Sequence, residues 1–240
     1  MEGPFSRTER LIGAAAMEKL KKARVAVFGI GGVGGAAAEA LARSGVGHFL
    51  LVDKDVVDVT NLNRQIIATV ETVGRPKTEV MKERILSVNP EADVETRQCF
   101  YLPENAAEFD LTAFDYVVDA VDTVTAKLML IDAAKKAGVP VISAMGAGNK
   151  MDPSAFRVSE LYETSVDPLA KVMRRECRKR GIGSLPVVWS TEEPVVPESA
   201  PEEENAGVPL RKDTPASISF VPNAAGLVLA GKVVRDLIGR

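Results

Sequence analysis

The sequence predicts an α/β fold: a doubly wound, mostly parallel sheet in a single domain over residues 1–240, with an N-terminal helical segment and a C-terminal extension. Three observations lead there. Short apolar runs alternate with amphipathic stretches, the order that builds parallel sheets from strand–helix–strand units. The first apolar run opens directly into a glycine cluster, Gly29-Ile30-Gly31-Gly32-Val33-Gly34. An acid, Asp53, closes the second run.

Each element has its own signal. Arg24–Phe28 reads as a buried first strand, and the Ala-rich stretch 36–43 as a helix ending at Ser44-Gly45. His48–Val52 is the second strand; the only histidine, His48, is read as structural. Residues 76–88 form a charged amphipathic helix, with proline at its start and Asn89-Pro90 at its end. Strands are expected over 94–99, 116–121 and 139–145, with a short helix over 103–109 and a helix over 125–137 closed by Gly138. Farther on come a strand over 156–161, a helix over 168–180 capped by Asp167, a strand over 185–190 and a helix over 222–238. The apolar face of that last helix is read as Leu227, Leu229, Val233 and Leu237, and a further helix over 11–22 precedes the first strand. Residues 192–214, rich in Pro and Glu without periodicity, are expected to be a mobile surface loop.

Composition narrows the function classes. The chain is 46% hydrophobic and 26% charged with a formal net charge of -3, so any nucleic-acid contact must come from a local basic patch. Cys99 and Cys177 stand far apart with no C-x-x-C pair, which argues against a structural zinc site or a disulfide scaffold. No apolar run approaches the ~20 residues of a membrane span, and the charged N-terminus lacks a signal-like core. A cytoplasmic protein without a membrane partner is expected.

The glycine cluster is a G-x-G-x-x-G between a strand and a helix, the setting of a Rossmann-like phosphate-binding turn. Asp53 stands where a carboxylate would meet ribose hydroxyls. These features alone do not separate NAD from ATP. The next segment, Asp53-Lys54-Asp55 through Asn61, Asn63, Arg64 and Gln65, is a polar loop where an ordinary dinucleotide fold moves quickly into a helix, and Lys77 follows. Arg64 and Lys77 could neutralise a triphosphate; either taken alone also reads as a solvated cation. Asp119 and Asp122 lie at the carboxyl end of a strand, where a carboxylate can hold Mg²⁺ against phosphates or, for Asp122, simply start a helix.

Together, the glycine turn, acid, N-L-N-R-Q loop, lysine and D-A-V-D resemble the ubiquitin-activating-like adenylating superfamily over roughly residues 5–162. Within it the chain is most similar to the tRNA threonylcarbamoyladenosine dehydratases. The matching stretches include F-S-R-T-E-R-L-I-G, V-G-R-P-K-T-E-V-M, G-A-G-N-K-M-D-P and F-V-P-N-A-A-G-L. The resemblance implies ATP and Mg²⁺ as cofactors and tRNA carrying threonylcarbamoyladenosine as partner, in a homodimer. It implies that Gly29, Gly31, Gly32, Gly34, Asp53 and Asp55 hold the nucleotide. Asn61, Asn63, Arg64, Gln65 and Lys77 would surround the phosphates, Asp119 would lie at the nucleotide edge and Asp122 would support the metal. Arg10 would reach the partner subunit's ATP. Arg10, Arg64, Lys77 and Asp122 are the expected catalytic set.

Lys171–Arg180 holds six cations and one acid, and Lys171, Arg174, Arg175, Arg178 and Lys179 are read as a tRNA-backbone contact. A solvated helix with cations near its C-terminus is the alternative. Relatives that charge small sulfur-carrier proteins commonly bear zinc C-x-x-C pairs and often a catalytic cysteine. This chain has neither pattern, so that activity is the second reading. An NAD-dependent oxidoreductase, or a non-catalytic nucleotide-binding module, is the third.

Overall fold

The computed structural model describes residues 3–198 and 215–240. Its sheet has seven strands in the order β3-β2-β1-β4-β5-β7-β6. These are β1 (Arg24–Phe28), β2 (His48–Val52), β3 (Asp93–Arg97), β4 (Tyr116–Asp119), β5 (Val141–Ala144), β6 (Phe156–Glu160) and β7 (Pro186–Ser190). All neighbours pair in parallel except β6 on β7. The chain order reverses direction between β1 and β4, the point where open α/β sheets bind ligands beyond the carboxyl ends of their strands.

Both faces of the sheet are covered, as period-2 alternation in apolar strands demands. On one face Val25, Val27, Leu51 and Val118 meet α3 (Gly32–Arg43), α4 (Lys77–Val88) and α7 (Phe220–Ile238). On the other, Ala26, Phe28, Leu50 and Val117 meet α5 (Val124–Ala137) and α6 (Pro168–Lys179). Gly226 lets α7 lie close on α3: a Cβ there would stand 2.4 Å from the Val33 carbonyl oxygen.

The N-terminal helix differs from expectation. It is two helices, α1 (Ser6–Ile12) and α2 (Ala14–Lys22), broken at Gly13 with φ 89°. Ala is the best helix former, but three alanines after a left-handed glycine start a new helix instead of extending the old one. α7 begins at Phe220 and holds Pro222 in its first turn, where a missing N–H costs nothing. Its buried face is Val221, Ala225, Leu229, Ala230 and Val233, whereas Leu227 is exposed. The expected short helix over 103–109 is a single 3-10 turn, Ala106–Glu108. Of the acidic stretch, residues 192–198 are irregular and 199–214 lie outside the described residues.

Candidate active site

A cavity of about 440 Å³ opens at the carboxyl ends of β1, β2 and β4. The glycine turn forms one wall. Gly29 has φ 88°, and a Cβ there would stand 2.5 Å from the Ala120 carbonyl oxygen, so only glycine fits. Gly34 would drive a Cβ to 1.8 Å from the Gly29 oxygen; it packs helix on turn and does not line the cavity. Gly31 does line it, and a Cβ added there would meet nothing nearer than Gln65 Nε2, at 3.9 Å. Gly31 precedes α3, so the backbone amides and positive dipole end of that helix face the cavity.

Asp53 binds the turn itself. Its Oδ2 accepts from Ile30 N at 2.6 Å and its Oδ1 from Asp55 N at 2.8 Å. Lys54 and Lys77 both donate to Asp55, Lys77 at 3.2 Å. Burial pushes the Asp55 carboxyl up, but Lys54 and Lys77 outweigh it and hold it below the usual carboxylate range. Lys54 Nζ also stands 4.6 Å from the centre of the Phe100 ring, and its pKa is raised, chiefly by Asp55. Asn61 is fixed by a reciprocal cap with Asp58, which orients the loop toward the cavity. Gln65 is 7% exposed, and its Oε1 has no hydrogen-bond partner among the described residues. That leaves a buried acceptor at the cavity wall for a ligand hydroxyl or amine. Arg64 lines the cavity with its guanidinium on Thr60 O and Asn63 Oδ1, at 2.8 and 2.9 Å.

The cavity wall carries three cations (Lys54, Arg64, Lys77) and three acids (Asp53, Asp55, Asp122). Their formal charges cancel. A triphosphate would therefore need the amides of the turn and a divalent cation in addition to these side-chain cations. Asp122 is exposed in the cavity, and its carboxylate forms no hydrogen bond or ion pair among the described residues. Mg²⁺ is held by one or two carboxylates together with phosphate oxygens and water, so this single free acid fits the ion. The cavity is also lined by Phe28, Val52, Tyr101 and Ala126, apolar side chains suited to a base ring. The Phe28, Tyr101 and Phe109 rings meet edge-on or tilted, at centroid distances of 5.3 to 5.8 Å.

Several expected residues lie elsewhere. Asp119 is not at the cavity: it is 0% exposed and bound to Lys127 and Ser143 inside the sheet. Asn63 does not line it either; its amide donates to the Ser217 carbonyl at 3.0 Å. Arg10, on α1, does not line it. Phe5 at the start of α1 sits beside Arg43 and Val88, the C-terminal ends of α3 and α4, whereas the cavity is at their N-terminal ends.

Within α6, Arg174 donates to the Thr164 carbonyl at 2.9 Å, so it ties the helix down instead of facing solvent. Arg175, Lys179 and Arg180 converge on Glu176, pushing its carboxyl down to about 2. Arg178 stacks on Tyr162, 5.1 Å from the ring centre. Lys171 is exposed. Cys177 is buried beneath the helix with its thiol pushed up by burial, which removes it as a nucleophile.

Sequence reasoning missed the far wall: Phe100 and Tyr101 after β3, Ala147 and Gly148 after β5, and Pro215, Ser217 and Pro222 near the start of α7. Asn223 donates to the Arg64 carbonyl at 3.2 Å, and Pro222 would meet a Cβ on Gly32 at 2.9 Å. α7 thus braces both the glycine turn and the Arg64 loop. The proline of V-P-N signals a helix start, but nothing local in the sequence places that start at the cavity.

A doubly wound sheet with a glycine turn, a two-lysine cluster and a lone carboxylate at its switch point defines a nucleotide-binding enzyme domain built to handle a triphosphate. Residues 5–240 match the ThiF family, and the chain belongs to it. It is 47% identical over 239 residues to the tRNA threonylcarbamoyladenosine dehydratase of Bacillus subtilis (strain 168), covering 98% of this chain and 94% of that one. The structure is similar to that of E. coli tRNA N6-threonylcarbamoyladenosine dehydratase, TcdA, in complex with ATP, with a TM-score of 0.87 and 35% identity over 98% of this chain and 94% of that one. A sulfur carrier protein adenylyltransferase of Thermus thermophilus is 39% identical, but over only 55% of this chain and 48% of its own.

Proposed function

We propose that this chain is an ATP-dependent tRNA threonylcarbamoyladenosine dehydratase that closes the threonylcarbamoyl side chain into a ring through an acyl-adenylate. The observation that carries the reading is the cavity itself. It combines a phosphate-binding turn, balanced side-chain charge and one free carboxylate with no activated nucleophile at hand.

A carboxylate is a poor electrophile because its leaving group would be oxide or hydroxide. In the first step the threonyl carboxylate oxygen attacks the α-phosphorus of ATP, and pyrophosphate leaves. In the second an atom of the neighbouring carbamoyl group attacks the acyl carbon, gives up its proton, and AMP departs with the former carboxylate oxygen. The net change in the nucleoside is loss of one water. The second step is intramolecular, so proximity supplies much of its rate and no protein nucleophile is required. The chain's own residues hold and stabilise. The amides after Gly31 bind phosphate oxygens, and Lys77 and Arg64 offset the charge that moves to pyrophosphate. Asp122 would hold Mg²⁺, which when bound supplies positive charge against the phosphates. Gln65 Oε1 accepts from a ligand hydroxyl.

The homodimer and the role of Arg10 belong to the same proposal. Arg10 lies on α1, whose start sits beside the ends of α3 and α4 far from the cavity, and it does not line the cavity of its own chain. Val59, Leu62, Val70 and Val73 expose apolar surface on the loop that carries Arg64. A second copy seated there would cover that surface and bring its Arg10 to the phosphates, in a reciprocal twofold arrangement. Lys171, Arg175 and Lys179 present the positive face of α6 to the tRNA backbone, in the cytoplasm where tRNA resides. No helix among the described residues is long and apolar enough to cross a membrane.

ATP–pyrophosphate exchange measured with modified tRNA, with a small carrier protein and with neither tests this reading. Exchange that depends on tRNA supports it. Exchange that depends on the carrier protein transfers the chain to the second reading; for that reading no zinc cysteine cluster is present among the described residues, and Cys99, which lines the cavity, has its thiol pushed up by burial.

A further inference from the structure

Beneath the Ala120–Thr123 loop lies a charge pair that the proposed reaction does not use. Asp119 ends β4 and is 0% exposed; Lys127, one turn into α5, is 1% exposed. Lys127 Nζ reaches Asp119 Oδ2 at 3.2 Å and Ser143 Oγ at 3.2 Å, and Ser143 Oγ donates to the same Asp119 oxygen at 2.6 Å. Ser143 is the register neighbour of Asp119 on β5. The other Asp119 oxygen, Oδ1, accepts from Val121 N at 3.3 Å.

A fully buried ion pair is weak evidence for stability, because desolvation cancels most of the attraction; apolar residues of similar size would serve the core as well. What such a pair does supply is a fixed position, since each partner must stay where its bonds are satisfied. Here the fixed object is the loop. Val121 N is held from below, and Asp122, the free acid of the cavity, is the next residue. Ala120 O is the atom against which Gly29 packs, and its Cβ lies 3.1 Å from where a Cβ on Gly34 would stand. One buried carboxylate therefore sets both the acid and the floor under the phosphate-binding turn.

We propose that Lys127 and Ser143 are positioning residues for the adenylation step, acting through Asp119 to hold Val121 and so to aim Asp122 at the phosphates. This rests on the reading of the cavity as an adenylation site. The test uses the full chain, ATP, Mg²⁺ and modified tRNA. Lys127→Met removes the ammonium and keeps the length of the side chain. Expected are a folded protein with faster amide exchange at residues 120–123, a fall in kcat for AMP formation of about tenfold or more, as misplacement of about 1 Å can cause, and a raised Mg²⁺ requirement. Combined with Asp122→Asn it should add less than about twofold, because both changes act on one carboxylate. Ser143→Ala, which keeps the ion pair, should give a smaller change in the same direction.

Full kcat per folded molecule, with only thermal stability lowered, would overturn the proposal, as would effects of Lys127→Met and Asp122→Asn that simply multiply. If Lys127→Met fails to fold, Ser143→Ala decides: unchanged exchange and unchanged kcat reject the role. Amide exchange needs no substrate. An inactive wild type would therefore count against the adenylation reading, while the exchange data still decide the positioning one.

Discussion

Alanine at Gly31 and alanine at Gly34 should have opposite consequences, although both glycines belong to one short motif. At Gly34 the added methyl would meet the Gly29 carbonyl oxygen at 1.8 Å and the Ala120 Cβ at 3.1 Å. The first of these neighbours is backbone, so α3 must move off the turn. Overpacking of this kind costs about 1–3 kcal/mol and more where nothing can give; about 3 kcal/mol is expected here. With a urea slope of about 3 kcal/mol/M for a chain of this size, the unfolding midpoint should fall by about 1 M. At Gly31 the backbone is ordinary for alanine, with φ -88° and ψ -153°, and the nearest atom to a new methyl is 3.9 Å away. Stability should stay within about 0.5 kcal/mol or rise slightly, since alanine restricts the unfolded chain. The methyl instead stands in the cavity where a phosphate must approach the amides. Loss of one hydrogen bond to a charged group is worth about 1.5–3 kcal/mol, or roughly ten- to a hundredfold in ATP affinity. Urea denaturation and calorimetric titration with ATP measure the two quantities separately. Wild-type ATP affinity in Gly31→Ala, or a wild-type midpoint in Gly34→Ala, would refute the division of labour drawn for the turn.

Three further outcomes are expected. Arg10→Ala and Asp122→Asn, each reduced to a small residual activity alone, should recover to about a quarter of wild-type activity when their subunits are mixed and exchanged, because half the dimers are mixed and each has one intact site; no recovery with exchange verified by mass would place Arg10 outside the site. Lys171→Glu with Arg175→Glu should weaken tRNA binding and lower its salt slope by about 1.5 to 2, whereas Arg174→Glu, which breaks the contact with Thr164 O, should instead lower stability by about 1–3 kcal/mol; equal salt slopes in all three proteins would remove α6 from the tRNA surface. Glu39 is buried, which raises its carboxyl, but Arg84 and Arg43 outweigh burial and hold it below its ordinary 4.5. A depressed carboxyl contributes stability above that pH and loses it as pH falls through the folded value, so Glu39→Gln should flatten the acid limb of the stability curve; an unchanged limb would contradict the pairing.

The parts of this molecule that repeat with a period were legible in its sequence. Strand runs such as Val25-Ala26-Val27-Phe28 are apolar throughout because both faces are covered, and they meet glycines where the chain must turn. Gly29 and Gly31 were legible because a phosphate turn needs glycine there; Asp53 was legible as an acid at the strand end, but the sequence pointed it at ribose hydroxyls and did not show that its oxygens accept from Ile30 N and Asp55 N. What stayed hidden depends on contacts between distant segments. Asp119 and Asp122 look alike in V-V-D-A-V-D, yet strand alternation and Lys127 draw one inside while the loop sends the other out. Arg174 and Arg175 are neighbours in a basic run, and only the position of Thr164 commits the first. Pro222 and Asn223 reach the site from the end of the chain, across a separation no local pattern encodes. At the N-terminus, the helix expected over 11–22 runs through Gly13, the residue at which the structure breaks it.

The central claim is that ATP is spent on activating a carboxylate so that a ring can close with loss of water. The most direct measurement follows tRNA bearing threonylcarbamoyladenosine, the protein, ATP and Mg²⁺ in one reaction, with the released AMP counted and the digested nucleoside weighed by mass spectrometry. The expected result is one AMP and one pyrophosphate for each nucleoside that has lost one water, with none formed when ATP is replaced by a non-cleavable α,β-analogue. A nucleoside of unchanged mass beside steady AMP formation, or water loss without AMP, would contradict the account.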